Sequence, residues 1–184
     1  FLFNAQLLGH QQIVINAIEK KDLGIIVAPP GSGKTIVGLK IIADKKQPAL
    51  IITHRKQIAD QWIERIETFL GIPKNEIGKI GQGKTKIGKQ ITVAMIQSLS
   101  KELEKPDTGK ILNAFGTIIV DECHHIPAET FRNAISKLQT FYLYGLTATP
   151  FRKYNDSKLI FIHLGEVIAE IKSNEISTSK RPKI

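Results

Sequence analysis

The sequence predicts an α/β fold: a mainly parallel sheet with helices on both faces. Two patterns carry this. Three short apolar runs, Gly24 to Ala28, Ala49 to Thr53 and Thr117 to Val120, are almost continuously hydrophobic and rich in Ile and Val, as strands buried on both faces are. Between them lie stretches with apolar residues at helical spacing, and alternating strands and helices imply right-handed βαβ units. A glycine-rich segment after the first run stands where such a sheet places a phosphate site.

Taken in order, Ile13, Ala17 and Ile18 suggest an opening helix that ends near Lys21. Ile36, Val37, Leu39 and Ile42 form an apolar stripe after the glycine-rich segment. Ile58, Trp62, Ile66 and Phe69 step by four, four and three, one helix face. Trp62 is therefore expected in the core, not as a platform for a nucleic-acid base. Weaker strands are expected at Ile91 to Ala94 and Phe141 to Leu146. Ile72 to Gln90, with four glycines and five lysines, reads as basic loop and short strand on the surface. The polar stretch Ser173 to Ile184 reads as a frayed tail or linker, so the domain is expected to occupy residues 1–172.

With 184 residues the chain suffices for one domain but is thin for two. No run of about 18 apolar residues marks a membrane span, and residues 1–8 lack the charge and apolar core of a secretory signal. The single cysteine, Cys123, can form no internal disulfide, so a reducing, intracellular and by default cytoplasmic setting is expected. The net charge is +9, and only five of the 26 cationic residues are Arg. Lysine attracts phosphate as a point charge without the planar fork that reads base edges. The balance points to sequence-independent attraction to a polyanion; a merely soluble Lys-rich surface is the alternative.

Two segments end in Gly-Lys-Thr. Gly78 to Thr85 satisfies the literal pattern G-x-x-x-x-G-K-[ST], whereas Ala28 to Thr35 has alanine at the leading position. The physical requirement reverses that ranking. A phosphate cradle needs a buried strand before it and a helix N-terminus after it, and only Ala28 to Thr35 has both. Gly31 and Gly33 would wrap the phosphates, Lys34 would neutralise the β- and γ-phosphates, and Thr35 would hold Mg²⁺. The second segment is expected to be a basic hairpin or loop. The run ending Asp121-Glu122 supplies two acids expected to point oppositely. Asp121 would reach the Mg²⁺ and Glu122 would orient an attacking water as general base. Cys123, His124 and His125 tempt a zinc reading, but adjacent residues rarely converge on one ion. His124 is expected instead to link this loop to a neighbouring segment.

In this order the motifs resemble the first RecA-like, ATP-binding domain of a superfamily-2 DExH helicase or translocase. Leu8 to Gln12 resembles the adenine-recognising glutamine segment, with Gln11 as reader, although the arginine that usually neighbours it is missing. Ala28 to Thr35, including Pro30 and Ser32, resembles motif I, and Asp121-Glu-Cys-His124 is the DExH form of motif II. Ile52 to Ile58 and Ile91 to Leu99 are similar to strand-binding motifs, which implies nucleic-acid roles for Thr53, Arg55, Thr92 and Gln97 at or beyond C-terminal strand ends. Leu146 to Pro150 resembles motif III, which implies that His124, Thr147 and Thr149 couple nucleotide state to the nucleic-acid face. Asp-Glu-Cys-His-His and Thr-Ala-Thr-Pro-Phe-Arg152 are nearest the xeroderma-pigmentosum-B-type repair helicases and restriction-enzyme motors.

The resemblance implies ATP and Mg²⁺ as cofactors and DNA as partner, with RNA open. It also implies a second RecA-like domain that supplies arginines across the cleft. Too few residues follow Pro150 to form one, so half of a motor is expected, with Leu159 to Ile171 leading toward the missing part. A stand-alone P-loop phosphotransferase, in which Thr147 to Pro150 would have no role, is the rival enzyme class. A catalytically dead nucleotide-binding module is countered by intact Lys34, Thr35, Asp121 and Glu122.

Overall fold

A computed structural model gives the structure of the chain; it describes residues 2–107, 112, 114–126, 128–149, 162–172 and 176. Eight strands form one sheet: β1 (Leu23–Val27), β2 (Ala49–Thr53), β3 (Gly78–Gly81), β4 (Lys84–Lys86), β5 (Ile91–Met95), β6 (Thr117–Asp121), β7 (Tyr142–Thr147) and β8 (Val167–Glu170). Their spatial order is β4-β3-β5-β2-β6-β7-β1-β8, and every pairing is parallel except β3 with β4. The helices are α1 (Gly9–Ile18), α2 (Lys34–Lys45), α3 (Lys56–Leu70), α4 (Ile96–Glu102) and α5 (Ala128–Ile135).

The continuous hydrophobicity of the strands has the expected cause. Ile26, Ile51 and Ile119 pack on one face with α1, α2 and α3, through Val14, Val37, Leu39, Ile42, Trp62 and Ile66. Ile25, Leu50, Ile52, Ile118 and Val120 pack on the other with Ile96 and Leu99 of α4 and with Phe131 and Ala134 of α5. Each fully buried Ile or Leu contributes roughly 1.5–3 kcal/mol, so both faces are needed to hold the central strands. α3 stops at Gly71, whose left-handed φ of 66° lets its N–H return to the Glu67 carbonyl.

Two expectations are corrected. Ile72 to Gln90 is more than surface loop, because β3 runs parallel to β5 and buries Ile80, with Ile77 beside it. The Gly-Lys-Thr sequence here is a hairpin turn: Gln82 and Gly83 both have positive φ, 55° and 74°, and join Gly81 to its partner Lys84. The described part of Leu159 to Ile171, from Ile162 onward, is not simply a connection either, since β8 pairs with β1 and completes the sheet. The Ser173 to Ile184 tail lies outside the described residues except Ile176, and Arg152 and Pro150 lie outside them too.

Candidate nucleotide-binding site

β1 delivers the chain into a loop whose geometry requires glycine. Gly31 and Gly33 have φ of 80° and 81°, a left-handed conformation other side chains resist. A Cβ on Gly33 would lie 2.3 Å from the Gln11 side-chain nitrogen. Gly33 caps α2, so the positive end of that helix faces the loop.

Lys34, the first residue of α2, bonds the Ala28 carbonyl at 3.2 Å and lies 3.3 Å from Glu122 Oε1. Asp121 ends β6, and its Oδ1 accepts the Glu122 N–H at 2.9 Å. Glu122 does not continue the strand. Its φ of 49° is left-handed, and the resulting turn brings its carboxylate to Lys34. The two acids thus diverge as expected, but by a turn and not by strand alternation. Pro29, Gly31, Gly33, Lys34, Thr35, Asp121 and Glu122 line an open cleft of about 340 Å³, together with Ile58 and Gln61 of α3.

Sequence reasoning missed Ile58 and Gln61 as walls of the cleft, and it missed the polar role of Trp62. The indole is buried as expected, but its N–H donates to Asp121 Oδ2 at 2.7 Å. The signal was available: a buried tryptophan needs an acceptor. Burial pushes the Asp121 carboxyl above the usual aspartate range, and this bond works against that rise.

Gln11 is almost fully buried, and both ends of its amide are engaged. Its Oε1 accepts the Leu8 N–H, and its Nε2 donates to the Ser32 carbonyl, both at 2.9 Å. His10 Nε2 lies 3.1 Å from the same carbonyl. The structure therefore places Gln11 against the phosphate loop. Pro30 is exposed and Pro29 lines the cleft in its place, while Ser32 is buried with its hydroxyl unpartnered.

His124 Nδ1 lies 2.7 Å from the Thr147 hydroxyl and 3.4 Å from Glu122 Oε2. The Thr147 hydroxyl also meets the Thr149 carbonyl at 3.1 Å, and the Thr147 carbonyl accepts the Ala28 N–H at 2.8 Å. A polar path therefore runs from Glu122 through His124 to the end of β7 and back to the phosphate loop. Ligand atoms of Glu122, His124 and His125 lie within 4.8 Å of one another, a set that leaves out Cys123. Cys123 turns into the core, and burial pushes its thiol up. His54 joins from the end of β2, its ring 5.0 Å from that of His125, with both nitrogens buried and unpartnered. Burial holds His54 and His124 below the usual histidine range, and neighbouring His125 adds to it.

The four nucleic-acid candidates separate. Arg55 and Gln97 are exposed just past the C-terminal ends of β2 and β5. Thr53 lies beneath them, fully buried, its hydroxyl 3.5 Å from the carbonyls of Arg55 and Ala94. Thr92 is a correction. It is the second residue of β5, fully buried, and its hydroxyl accepts the Gly88 N–H at 2.9 Å. The motif match overlooked that strand polarity puts Thr92 toward the edge away from the cleft.

A glycine loop between a buried parallel strand and a helix, with its lysine facing two acids at the end of a second strand, defines a P-loop ATP-binding domain of the RecA-like class. The chain belongs to the family described as "Type III restriction enzyme, res subunit", which matches residues 4–152. It is 34% identical over 163 residues to the "DNA 3'-5' translocase XPB2" of Sulfurisphaera tokodaii, spanning 89% of this chain and 35% of that one. It is 29% identical over 167 residues to the "DNA 3'-5' helicase XPB" of Mycobacterium tuberculosis, spanning 87% and 29%. The chain thus spans about a third of the length of these relatives. In fold it is similar to the UvsW helicase of bacteriophage T4, with TM-score 0.73, 19% identity, and coverage of 92% of this chain and 64% of that one. The Sulfolobus solfataricus SWI2/SNF2 ATPase core in complex with dsDNA gives TM-score 0.71 at 20% identity, with coverage of 90% and 37%. Among the described residues no helix is long and apolar enough to cross a membrane.

Proposed function

We propose that this chain is the ATP-hydrolysing first half of a DNA helicase or translocase, which couples hydrolysis to movement on DNA. The observation that carries the reading is the convergence of Lys34, Asp121 and Glu122 at the head of α2, joined through His124 to Thr147. The residues fit the group the reading requires. The Lys34 ammonium rests on a carbonyl and a carboxylate that phosphate oxygens can replace, and the loop bends through two left-handed glycines. Thr35 and Asp121 would hold Mg²⁺ through one hydroxyl and one carboxylate, the hard oxygen donors that ion takes. Bound there, Mg²⁺ would neutralise charge on the transferred phosphate.

In this reading Lys34 leaves Glu122 for the phosphates, and the freed Glu122 carboxylate takes a proton from the attacking water. Gln11, through the Ser32 carbonyl, holds the loop in register. Adenine reading by Gln11 would require its amide to exchange those bonds. Arg55 and Gln97, on the same edge of the sheet, contact the DNA backbone, and the His124–Thr147–Thr149 path reports the state of Glu122 toward that edge. Most relatives whose names specify a nucleic acid are named for DNA, which favours DNA, although one that is 31% identical over 185 residues is named "Putative ATP-dependent RNA helicase L396". A second RecA-like domain in the native protein would supply arginines across the cleft, an effect worth about 10³ to 10⁵ in rate.

The test is a fluorescent-ATP titration of the chain and its Lys34→Ala variant, with ATPase of the longer native protein measured alone, with duplex DNA, with single-stranded DNA and with RNA. Lys34→Ala should bind nucleotide far more weakly, and duplex DNA should stimulate turnover most. Undiminished binding in Lys34→Ala would overturn the assigned site. Stimulation by RNA alone would overturn the DNA assignment.

A further inference from the structure

The Gly-Lys-Thr hairpin that is not the nucleotide site sits beside a second concavity. β4 and α4, with the turn after α4, enclose an open groove of about 430 Å³ whose side chains are those of Lys84, Thr85, Ser98, Lys101, Glu102 and Lys105. The register fixes its place. Ile80 pairs with Ala94, and Met95 pairs with Thr53, so Gly81 and the turn after it end level with Thr53, on the edge that carries Arg55 and Gln97. α4 begins at that edge with Ile96 and Gln97 and presents Ser98 and Lys101 one turn apart. The groove therefore starts next to Gln97 and continues the same surface outward to the edge strand, β4.

The lysines of this region are not equivalent. Lys79 is paired with Asp60, Lys86 bonds the Asn75 carbonyl, and Lys105 is paired with Glu102. The ammonium groups of Lys84 and Lys101 have no hydrogen-bond or ion-pair partner among the described residues. Two unpaired ammonium groups on opposite walls of one groove suit an anionic ligand. The groove contains no aromatic side chain to stack a base and no arginine fork to read a base edge. Its one carboxylate, Glu102, is paired with Lys105, and the remaining hydroxyls and ammonium groups are the chemistry of phosphate contacts that position a backbone.

We propose that this groove is a phosphodiester-binding site that extends the nucleic-acid track beyond Arg55 and Gln97, and that it holds the backbone of duplex DNA through Lys84 and Lys101. The proposal rests on the DNA-motor reading and deepens it. The literal phosphate-loop pattern in the hairpin would then serve a polynucleotide phosphate and not a nucleotide.

The 184-residue chain is titrated with fluorescent duplex DNA at several salt concentrations. Each phosphate neutralised adds roughly 0.9 to the steepness of the log–log salt dependence. Lys84→Gln with Lys101→Gln should therefore flatten that slope by about 1.8. Lys20→Gln with Lys21→Gln, an equal charge loss at the end of α1, should leave the slope near that of the parent. In parallel, bound DNA should shield Lys84 and Lys101 from acetylation as read by mass spectrometry. An unchanged slope in the groove variant, or equal flattening in both variants, would overturn the groove and leave the Arg55–Gln97 face and the ATP site standing. A parent chain that binds no duplex at low salt would overturn the groove and the DNA reading together.

Discussion

Replacing Trp62 with phenylalanine isolates one bond. The indole is 1% exposed, and its N–H lies 2.7 Å from Asp121 Oδ2. Phenylalanine keeps an aromatic ring in the core but removes the donor, leaving a buried carboxylate oxygen without that partner. A hydrogen bond to a charged group contributes about 1.5–3 kcal/mol. The smaller ring also vacates space against α2, where a Cβ on Gly38 would lie 2.6 Å from the indole edge. Partial collapse there adds about 1 kcal/mol of lost packing. The expected loss is about 2.5–4 kcal/mol, a large share of the roughly 5–15 kcal/mol that holds a domain together. The bond also favours ionised Asp121, so its loss pushes the carboxyl further up. The destabilisation should therefore be full where Asp121 is charged and shrink as the pH falls through its folded pKa. Urea unfolding of the parent, Trp62→Phe, Asp121→Asn and the double variant measures this, and the cycle should show coupling of about 1–2 kcal/mol. A single-variant loss below about 0.5 kcal/mol, or strict additivity, would refute the assigned bond.

Glu122→Gln keeps the shape of the side chain but removes both the Lys34 ion pair and the proposed proton acceptor. Nucleotide affinity should hold or rise, while turnover in the longer protein should fall by about 10² to 10⁴; stopped-flow binding and steady-state ATPase separate the two, and normal turnover would remove Glu122 as the base. Stability should also depend on pH through the histidines. His54 and His124 are held below their ordinary value of 6.5, so as pH drops under 6.5 the unfolded chain takes up protons the folded one refuses. Asp121, shifted upward, acts in the opposite sense at lower pH. The melting temperature should fall between pH 7 and pH 5, and less so in His54→Gln; a flat profile would contradict the burial of these rings.

Much of this molecule was legible because its signals are local. A strand buried on both faces must be apolar throughout, so GIIVA, ALIIT and TIIV announced β1, β2 and β6 within a residue or so of their ends. Lys34 and the two acids could be named because a phosphate loop needs strand, glycines and helix in immediate succession. The helical stripe through Trp62 likewise follows from spacing alone.

Other features depend on where distant segments meet. Nothing local shows that Val167–Glu170 is the strand beside β1, because its exposed and half-buried residues lack a core pattern. Strand polarity and register, not residue type, carry Thr92 to the far end of the sheet while leaving Arg55 and Gln97 at the C-terminal strand ends, the edge that carries the cleft. Sequence neighbours Asp121 and Glu122 were expected to part by pleat alternation, but a left-handed turn parts them and sets the Glu122 carboxylate against Lys34. The Trp62–Asp121 bond spans 59 positions and the His124–Thr147 contact 23. Pairings of that kind are set by the packing of helices on a common sheet. Periodicity along the chain reports which face a residue presents, and only the closed fold decides what that face meets.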